Sequence, residues 1–303
     1  MPYSAEISRA SPAAIVFLLD QSASMKDPFG GAEERGDAAP SKARVLSDSV
    51  NKLIQNLVLR CAKEDGVRDY FSVGVIGYGD RVQPLIRLDD EVVDDDEGGA
   101  AVASVAELIP VSALAERPLR IEERLKRIPK PAPAKAGGDG GFTEQRAKVP
   151  VWFDPEARNG TPMCQALDYA TQVVRQWVDL HPRSYPPIVI NVTDGEATDG
   201  DPLRFAQTLR EYGTADGETL LLNVHLSSST EAAIELPDTI EGLPDEHARR
   251  LFQMSSTLPF TMRAAAEAEG YTVGLDTHGF IFNADPAALI RFLEIGTRPS
   301  TLR

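Results

Sequence analysis

The stretch Ile15–Ser24, which reads IVFLLDQSAS, constrains the fold of this chain more than any other segment. Its first residues are apolar and mostly branched, which predicts a short strand buried on both faces. Asp20 then falls at the carboxyl end of that strand, where open α/β sheets place their binding sites. The segment therefore predicts an α/β fold with a polar loop, carrying Ser22 and Ser24, at the carboxyl edge of the sheet.

The Asp-x-Ser-x-Ser pattern in this loop supplies a carboxylate and two hydroxyls at alternate positions. Hard oxygen ligands of this kind suit a divalent cation such as Mg²⁺. Taken alone the pattern is weak, because Ser and Asp after a strand commonly accept hydrogen bonds from the free amides of the next helix. The loop alone therefore predicts either a helix cap or part of a metal site.

Two further segments favour the metal site. Thr161 precedes Pro162, which opens a long amphipathic helical pattern, so its hydroxyl is also placed to cap that helix. Residues 188–193 form a second buried-strand pattern, and Asp194 follows it directly. The order of strand, Asp-x-Ser-x-Ser, Gly-Thr-Pro and strand-Thr-Asp-Gly is much more specific than any one of these segments.

This combination resembles the metal-ion-dependent adhesion site (MIDAS) of the von Willebrand factor type A (vWA) domain, a fold also found in integrin I domains. Asp20, Ser22 and Ser24 match the first motif of that site. Thr161 matches the second motif and Asp194 the third, so every metal-site residue type is intact. The resemblance covers most of the chain, apart from one long insertion.

The resemblance implies a divided set of metal ligands. Ser22 and Ser24 would bind the metal directly, and Thr161 would join them when a ligand is bound. Asp20 and Asp194 would act through water, so neutral hydroxyls would dominate the inner shell and one position would stay open. The resemblance therefore implies Mg²⁺, or Mn²⁺ or Ca²⁺ in its place, and a partner protein that offers the metal an Asp or Glu side chain.

Other polar residues near these motifs are weaker candidates. Glu196, Asp199 and Asp201 follow Asp194 and are candidates for tuning metal affinity or binding a second ion, although capping the next helix is a sufficient role for Asp201. The four histidines show no zinc spacing. His225 lies in an apolar strand pattern and is predicted to be a hydrogen-bonded core residue.

Composition limits the class of partner. The chain of 303 residues has 46 acidic and 31 basic side chains, and its formal net charge is −15. Phosphate binding depends on clustered Lys and Arg, so nucleic acid is not expected as a partner. No apolar run approaches the ~20 residues that span a bilayer, so no membrane association is expected either.

The first residues and the cysteines favour a cytoplasmic location. Met1–Glu6 has neither a basic region nor a long apolar core, so no signal peptide is predicted. Cys61 and Cys164 lie on separate helical patterns and are predicted to be buried apolar residues, whereas a secreted adhesion domain more often carries disulfides. The compact form resembles cytoplasmic bacterial vWA proteins, some of which accompany ATPases, phosphatases or kinases in stress or defence systems.

Strand and helix patterns alternate along most of the chain. Further strands are predicted at 71–79, with a hairpin partner at 81–88, and at 219–226 and 279–283; helices are predicted at 41–61, after Pro162, at 201–213 and from Asp285 to Gly296. Alternation with short connections predicts a mostly parallel sheet with helices on both faces. The resemblance to vWA domains implies that this sheet is doubly wound and Rossmann-like. A single domain is expected over residues 1–303.

Residues 89–150 interrupt this alternation and are predicted to be an insertion. The segment begins acidic, passes through a short helical pattern near 119–128, and then becomes rich in Pro and Gly. vWA domains commonly connect these elements more briefly. Because the segment leads through Val151–Asp154 towards Thr161, it is expected to emerge near the metal face, as a solvated loop or as a cover over the site.

Three functions remain open from the sequence. The leading hypothesis is a non-enzymatic, metal-dependent interaction module. The rival is a Mg²⁺-dependent hydrolase of phosphate esters with Asp20 as nucleophile or metal carboxylate beside Asp194. Against it, a serine stands at position 22, where a second carboxylate would be needed, and no Walker motif or general base is apparent. The third is a scaffold in which the metal only stabilises the fold.

Overall fold

The computed structural model consists of alternating strands and helices over most of the chain. It describes residues 2–29, 39–87, 108–129, 142–226 and 232–297. Within these ranges the strands are β1 (Ala13–Asp20), β2 (Ala62–Lys63), β3 (Gly66–Val67), β4 (Phe71–Tyr78), β5 (Val82–Pro84), β6 (Ile109–Pro110), β7 (Arg120–Pro129), β8 (Phe142–Val151), β9 (Ile188–Thr193), β10 (Gly213–Thr214), β11 (Gly217–Glu218), β12 (Leu220–Leu226), β13 (Ile234–Glu235) and β14 (Phe280–Ala284). The helices are α1 (Lys42–Cys61), α2 (Val111–Glu116), α3 (Met163–Leu180), α4 (Leu203–Glu211), α5 (Glu246–Met254), α6 (Phe260–Ala268) and α7 (Pro286–Gly296), with a short 3-10 helix at Ala23–Lys26.

Strand β1 lies at the centre of the main sheet. All of its residues are buried, and it pairs in parallel with β4 on one side and with β9 on the other. Alternate side chains enter different apolar cores: Ile15 and Phe17 pack in a core shared with α1 and α7, whereas Val16 and Leu18 pack in one shared with α3. Burial on both faces explains why this strand is an uninterrupted apolar run.

The main sheet is mixed. Its order is β13-β14-β12-β9-β1-β4-β5, and β6 also pairs with β4. The five strands from β14 to β4 are parallel, whereas β13, β5 and β6 are antiparallel to their neighbours. The predicted doubly wound, Rossmann-like sheet is therefore wrong, and the structure is an α/β fold with a mixed sheet. A local cause is the short connection from β4 to β5, which is too short for a crossover and returns the chain antiparallel.

Helices cover both faces of the sheet. α1 buries Leu46, Val50 and Leu53, a spacing of three or four residues that puts them on one side of the helix. Cys61 on α1 and Cys164 on α3 are both buried and form no disulfide, which confirms the prediction that they are buried. In the described part of the chain, no helix is long and apolar enough to cross a membrane. With both faces covered, the edges of the sheet are left for polar residues.

Part of the predicted insertion is a long two-stranded hairpin. β7 and β8 pair antiparallel along their whole length and with no other described strand. The predicted helix at 119–128 is therefore wrong. Ile121 and Leu125 are four residues apart, which satisfies a helical spacing, but they also lie on one face of a strand. Residues 89–107 and 130–141 of the predicted insertion lie outside the described residues.

Candidate metal centre

The five predicted metal-site residues lie in three loops near the carboxyl edge of the sheet. Asp20 ends β1, Ser22 follows it, and Ser24 lies in the 3-10 helix. Asp194 directly follows β9, the parallel neighbour of β1. Thr161 lies two residues before the start of α3. Because parallel strands end at the same edge, the first and third loops are adjacent.

Hydrogen bonds join these two loops at Asp194. The hydroxyl of Ser24 donates to Asp194 Oδ1 at 2.7 Å, and that of Ser22 donates to the same oxygen at 3.4 Å. The two hydroxyl oxygens are 3.0 Å apart and share a hydrogen bond in which either serine is able to donate. Adjacent ligands of an octahedral Mg²⁺ ion, with bonds of about 2.0–2.1 Å, are separated by about 3 Å. The serine hydroxyls therefore have the spacing of two neighbouring ligands.

Asp20 is buried and fully hydrogen-bonded within the protein. Its Oδ1 accepts from the Ser22 amide at 2.7 Å, and its Oδ2 accepts from the Thr193 hydroxyl at 2.6 Å. Burial raises the pKa of Asp20 to about 6, against the lowering effect of the bonds from Thr193 and Ser22, and the charge of Asp194 adds to the rise. Thr193 was not among the predicted site residues. Thr193 fixes the Asp20 carboxylate by this hydrogen bond. Such a fixed carboxylate suits a residue that contacts a metal through water and not directly.

Thr161 lies beside the Asp194 turn. A Cβ built on Gly195 would be 3.9 Å from Thr161 Oγ1, so this hydroxyl faces the residue next to Asp194. Thr161 is buried. The structure thus places the second predicted motif at the same corner as the third.

The helix cap predicted for Thr161 is supplied by another residue. Asp199 accepts from the Cys164 amide at 3.1 Å and from the Gln165 amide at 3.0 Å, so it caps the first turn of α3. This engages both of its carboxylate oxygens. The Asp201 carboxylate accepts from the Leu203 amide at 3.1 Å, which confirms its predicted capping role.

Hydrogen bonds also fasten the Thr161 loop to its neighbours. The Ala23 amide donates to the Asn159 carbonyl at 2.9 Å, and the Thr161 amide donates to the Thr198 hydroxyl at 3.0 Å. Asn159 has a φ of 57°, in the left-handed region that Asn tolerates, and its side-chain amide donates to Asp80. These bonds tie the second loop to both the first and the third.

Glycines near the end of β4 make room for the first loop. A Cβ on Gly79 would lie 2.7 Å from the Gln21 carbonyl oxygen and 2.9 Å from that of Arg158. A Cβ on Gly77 would lie 2.2 Å from the side-chain oxygen of Gln21. At Gly79, where the contacts are with backbone atoms, only glycine allows the loop to lie this close to the strand.

Lys42 belongs to the site, although no motif in the sequence indicates it. Its Nζ donates to Asp194 Oδ2 at 2.8 Å, and the two side chains are 6% and 0% exposed. A second carboxylate, that of the exposed Asp27, lies 4.0 Å from the same Nζ. Lys42 is the first residue of α1, and the positive end of a helix disfavours a cation. That unfavourable position is the one sequence signal that an acidic partner must be near.

The donor set is rich in hydroxyls. In the ranges that the structure describes, no three His, Cys, Asp or Glu side chains are grouped to hold a metal. His225 instead stacks on Phe282 at 4.3 Å, and its Nδ1 accepts from the Asn283 amide at 3.3 Å. It is hydrogen-bonded as predicted, but it is half-buried and lies outside the buried core. Hydroxyl and carboxylate oxygens fit a hard cation such as Mg²⁺.

The chain is distantly similar to some solved structures. No family model and no curated protein matches it. Proximal thread matrix protein 1 (PTMP1) from the mussel byssus is 13% identical, with a TM-score of 0.36, over 72% of this chain and 37% of that one. A structure of PTMP1 with a zinc occupied MIDAS motif is 14% identical, with a TM-score of 0.34 and coverage of 72% and 37%.

The PilB minor pilin from Streptococcus sanguinis is 14% identical, with a TM-score of 0.29, over 73% of this chain and 58% of the pilin. The chain therefore spans less than two thirds of each of these proteins. Similarities at this level of TM-score and identity assign neither a family nor a function.

Proposed function

We propose that this chain is a vWA-type protein-interaction module that binds its partner through a metal ion at an intact MIDAS. The observation that carries the proposal is the convergence of the Ser22 and Ser24 hydroxyls on Asp194 Oδ1, with 3.0 Å between the hydroxyl oxygens. The position of Thr161 beside the same turn supports it. So does the order of the three motifs in the sequence, which is that of the vWA family.

The proposed ion is Mg²⁺, with Mn²⁺ or Ca²⁺ as alternatives. Ser22 and Ser24 would hold it directly, Thr161 would join them when the partner binds, and Asp20 and Asp194 would act through water. When bound, the metal supplies an electrophilic position for an oxygen from outside. Because the direct ligands are neutral hydroxyls, little of the metal charge is cancelled, which favours an anionic guest.

The proposed guest is an Asp or Glu side chain of another protein. Neither nucleic acid nor a membrane is part of the proposal, since the chain carries a net charge of −15. A cytoplasmic, bacterial stress or defence assembly is the proposed setting, by analogy with the family members named above.

Two groups that could act as nucleophiles, the Asp20 carboxylate and the Cys164 thiol, are poorly suited to hydrolysis, which favours a binding role. Both oxygens of Asp20 accept hydrogen bonds inside the protein, which leaves this carboxylate poorly placed as a nucleophile. Burial raises the pKa of the Cys164 thiol to about 12, with a further rise from the hydrogen bond to Asp199, so it stays protonated at neutral pH. We therefore propose that the chain is not an enzyme.

The proposal is tested by Mn²⁺ titration calorimetry and by pull-down from the native host in Mg²⁺ or in EDTA. We expect Ser24→Ala to weaken Mn²⁺ binding at least about tenfold, because a direct ligand is lost. We expect Thr161→Ala to abolish metal-dependent capture of the partner. Thr208→Ala, which removes an exposed hydroxyl on α4, is the matched control.

Circular dichroism must show that each variant is folded. Unchanged Mn²⁺ binding in Ser24→Ala together with unchanged capture by Thr161→Ala would remove the proposal. Turnover of a generic phosphate ester that is lost in Asp20→Asn would favour the hydrolase instead. A large Mg²⁺-dependent rise in Tm with no partner recovered would favour the scaffold.

A further inference from the structure

The two oxygens of Asp194 have different partners. Oδ1 accepts from Ser24 and Ser22, the two proposed direct metal ligands, at 2.7 and 3.4 Å. Oδ2 accepts from the Lys42 ammonium at 2.8 Å. The Asp194 carboxylate therefore contacts the two serine hydroxyls with one oxygen and the positive charge of Lys42 with the other.

This positive charge is buried and anchored. The Lys42 side chain is 6% exposed, and its backbone amide donates to the Asp27 carbonyl at 3.0 Å at the start of α1. Ser41, the preceding residue, caps the helix by accepting from the Arg44 amide at 3.2 Å. Because the backbone is held at this point, the ammonium group stays within reach of the corner.

A dication and an ammonium group at the same corner repel each other. Their repulsion is weakly screened, because Lys42 and Asp194 are shielded from water. In addition, Lys42 neutralises a carboxylate that would otherwise attract the metal. Both effects act in the same direction and lower the affinity for the metal.

Lys42 also has a second ionic partner nearby. Asp27 Oδ2 lies 4.0 Å from Nζ, and the Asp27 side chain is 59% exposed, outside the buried pair. A small side-chain movement would take the ammonium from Asp194 to Asp27. The structure thus places a second carboxylate within a short side-chain movement of the Lys42 ammonium.

We propose that Lys42 is a built-in counter-cation that competes with the divalent metal for Asp194 and transfers to Asp27 when the metal binds. This inference rests on the proposed function and deepens it. The lysine sets the metal concentration at which the centre is able to accept an acidic guest.

The main test is Mn²⁺ titration calorimetry on the full chain with Lys42→Met, which removes the charge and keeps most of the side-chain volume. We expect Mn²⁺ to bind at least about tenfold more tightly than in the wild type. Lys42→Arg should stay within about threefold of the wild type, because it keeps the charge. Arg44→Met, an exposed cation on the same helix that pairs with Asp48, is the control and should show no change.

The transfer to Asp27 is tested by a double-mutant cycle. Asp27→Asn should weaken Mn²⁺ binding about threefold or more in the wild type. The same substitution should have no effect in Lys42→Met, since the lysine that needs Asp27 is gone. An equal effect in both backgrounds would overturn the transfer step.

A merely structural role for Lys42 makes a different prediction. In that case Lys42→Met would have a lower Tm in EDTA but would bind Mn²⁺ with the same affinity as the wild type. That result would overturn the proposed competition between Lys42 and the metal. If Lys42→Met does not fold, Lys42→Gln gives the same test, because an amide still donates to Asp194 without a charge. Absence of Mn²⁺ binding in wild type and variants alike would overturn the proposed function and this inference together, whereas equal binding would overturn only the inference.

Discussion

The candidate metal centre and the β7–β8 hairpin contain ion pairs of the same length in opposite settings. Lys42 and Asp194 at the centre are 2.8 Å apart, and so are Arg124 of the hairpin and Asp48 of α1. The central side chains are 6% and 0% exposed, whereas those of the hairpin pair are 33% and 35% exposed. Water screens the second pair and not the first. The comparison teaches that burial, and not distance, decides what each pair contributes.

The hairpin also differs from the main sheet in how far its two faces are buried. Arg120, Glu122 and Arg124 lie on one face and form ion pairs with each other and with neighbouring residues. Ile121 and Leu125 lie on the other face and are 61% and 64% exposed. The main sheet buries apolar residues on both faces, so its strands carry a clear apolar signal that the hairpin lacks.

The largest expected effect is that of breaking the central ion pair. Asp194→Asn removes the buried carboxylate and leaves the Lys42 ammonium with only the exposed Asp27 as an ionic partner among the described residues. We expect the free energy of unfolding in EDTA to fall by about 3 kcal/mol, at the lower end of the range for a broken buried pair. Urea denaturation measures it. The double variant Asp194→Asn with Lys42→Met should recover most of this loss. A loss below about 1 kcal/mol would show that the central pair behaves like the hairpin pair.

A smaller effect is expected from pH at the same edge of the sheet. Burial, together with the charge of the neighbouring His247, lowers the pKa of His225 to about 4. The contribution of neutral His225 to stability is complete above the unfolded pKa of about 6.5. It is lost as the pH falls towards 4, because the unfolded chain binds the proton first.

Between pH 7 and pH 4.5 this loss amounts to about 2–3 kcal/mol. His225→Gln keeps an acceptor for the Asn283 amide and cannot titrate, so its stability should fall by that much less over the same range. Urea denaturation of both proteins at the two pH values provides the measurement. Identical losses would show that His225 titrates as if it were exposed.

The smallest effect is expected on the hairpin. Arg124→Gln breaks a pair as short as the central one, yet we expect a loss of less than about 1 kcal/mol. Arg120→Gln, which removes the pair with Asp154, should behave in the same way. A loss above about 2 kcal/mol in either variant would contradict the comparison.

Much of the fold was predictable where the local pattern and the tertiary role agree. The apolar run before Asp20 predicted β1, and the helical pattern at 41–61 predicted α1. The hairpin partner predicted at 81–88 is β5, which pairs antiparallel with β4. In each case, burial imposes a pattern that shows in the sequence.

Other features left little or no local signal in the sequence. The hairpin was predicted as a helix because Ile121 and Leu125 fit both spacings, and the strand that pairs with them lies beyond a long intervening segment. Thr193 and Lys42 were missed as site residues because their roles depend on contacts with Asp20 and Asp194, which lie elsewhere in the chain.

The sequence by itself determined which segments form the buried strands and which residues end them, since alternation, apolarity and helix spacing are written along the chain. It also predicted a metal site from three motifs. Only the tertiary structure decided that β6 and β13 add further antiparallel strands to the sheet, that β7 and β8 form a hairpin, and that Lys42 pairs with Asp194. The physical reason is that strand pairing and buried ion pairs depend on which distant segments meet, and no local pattern records that.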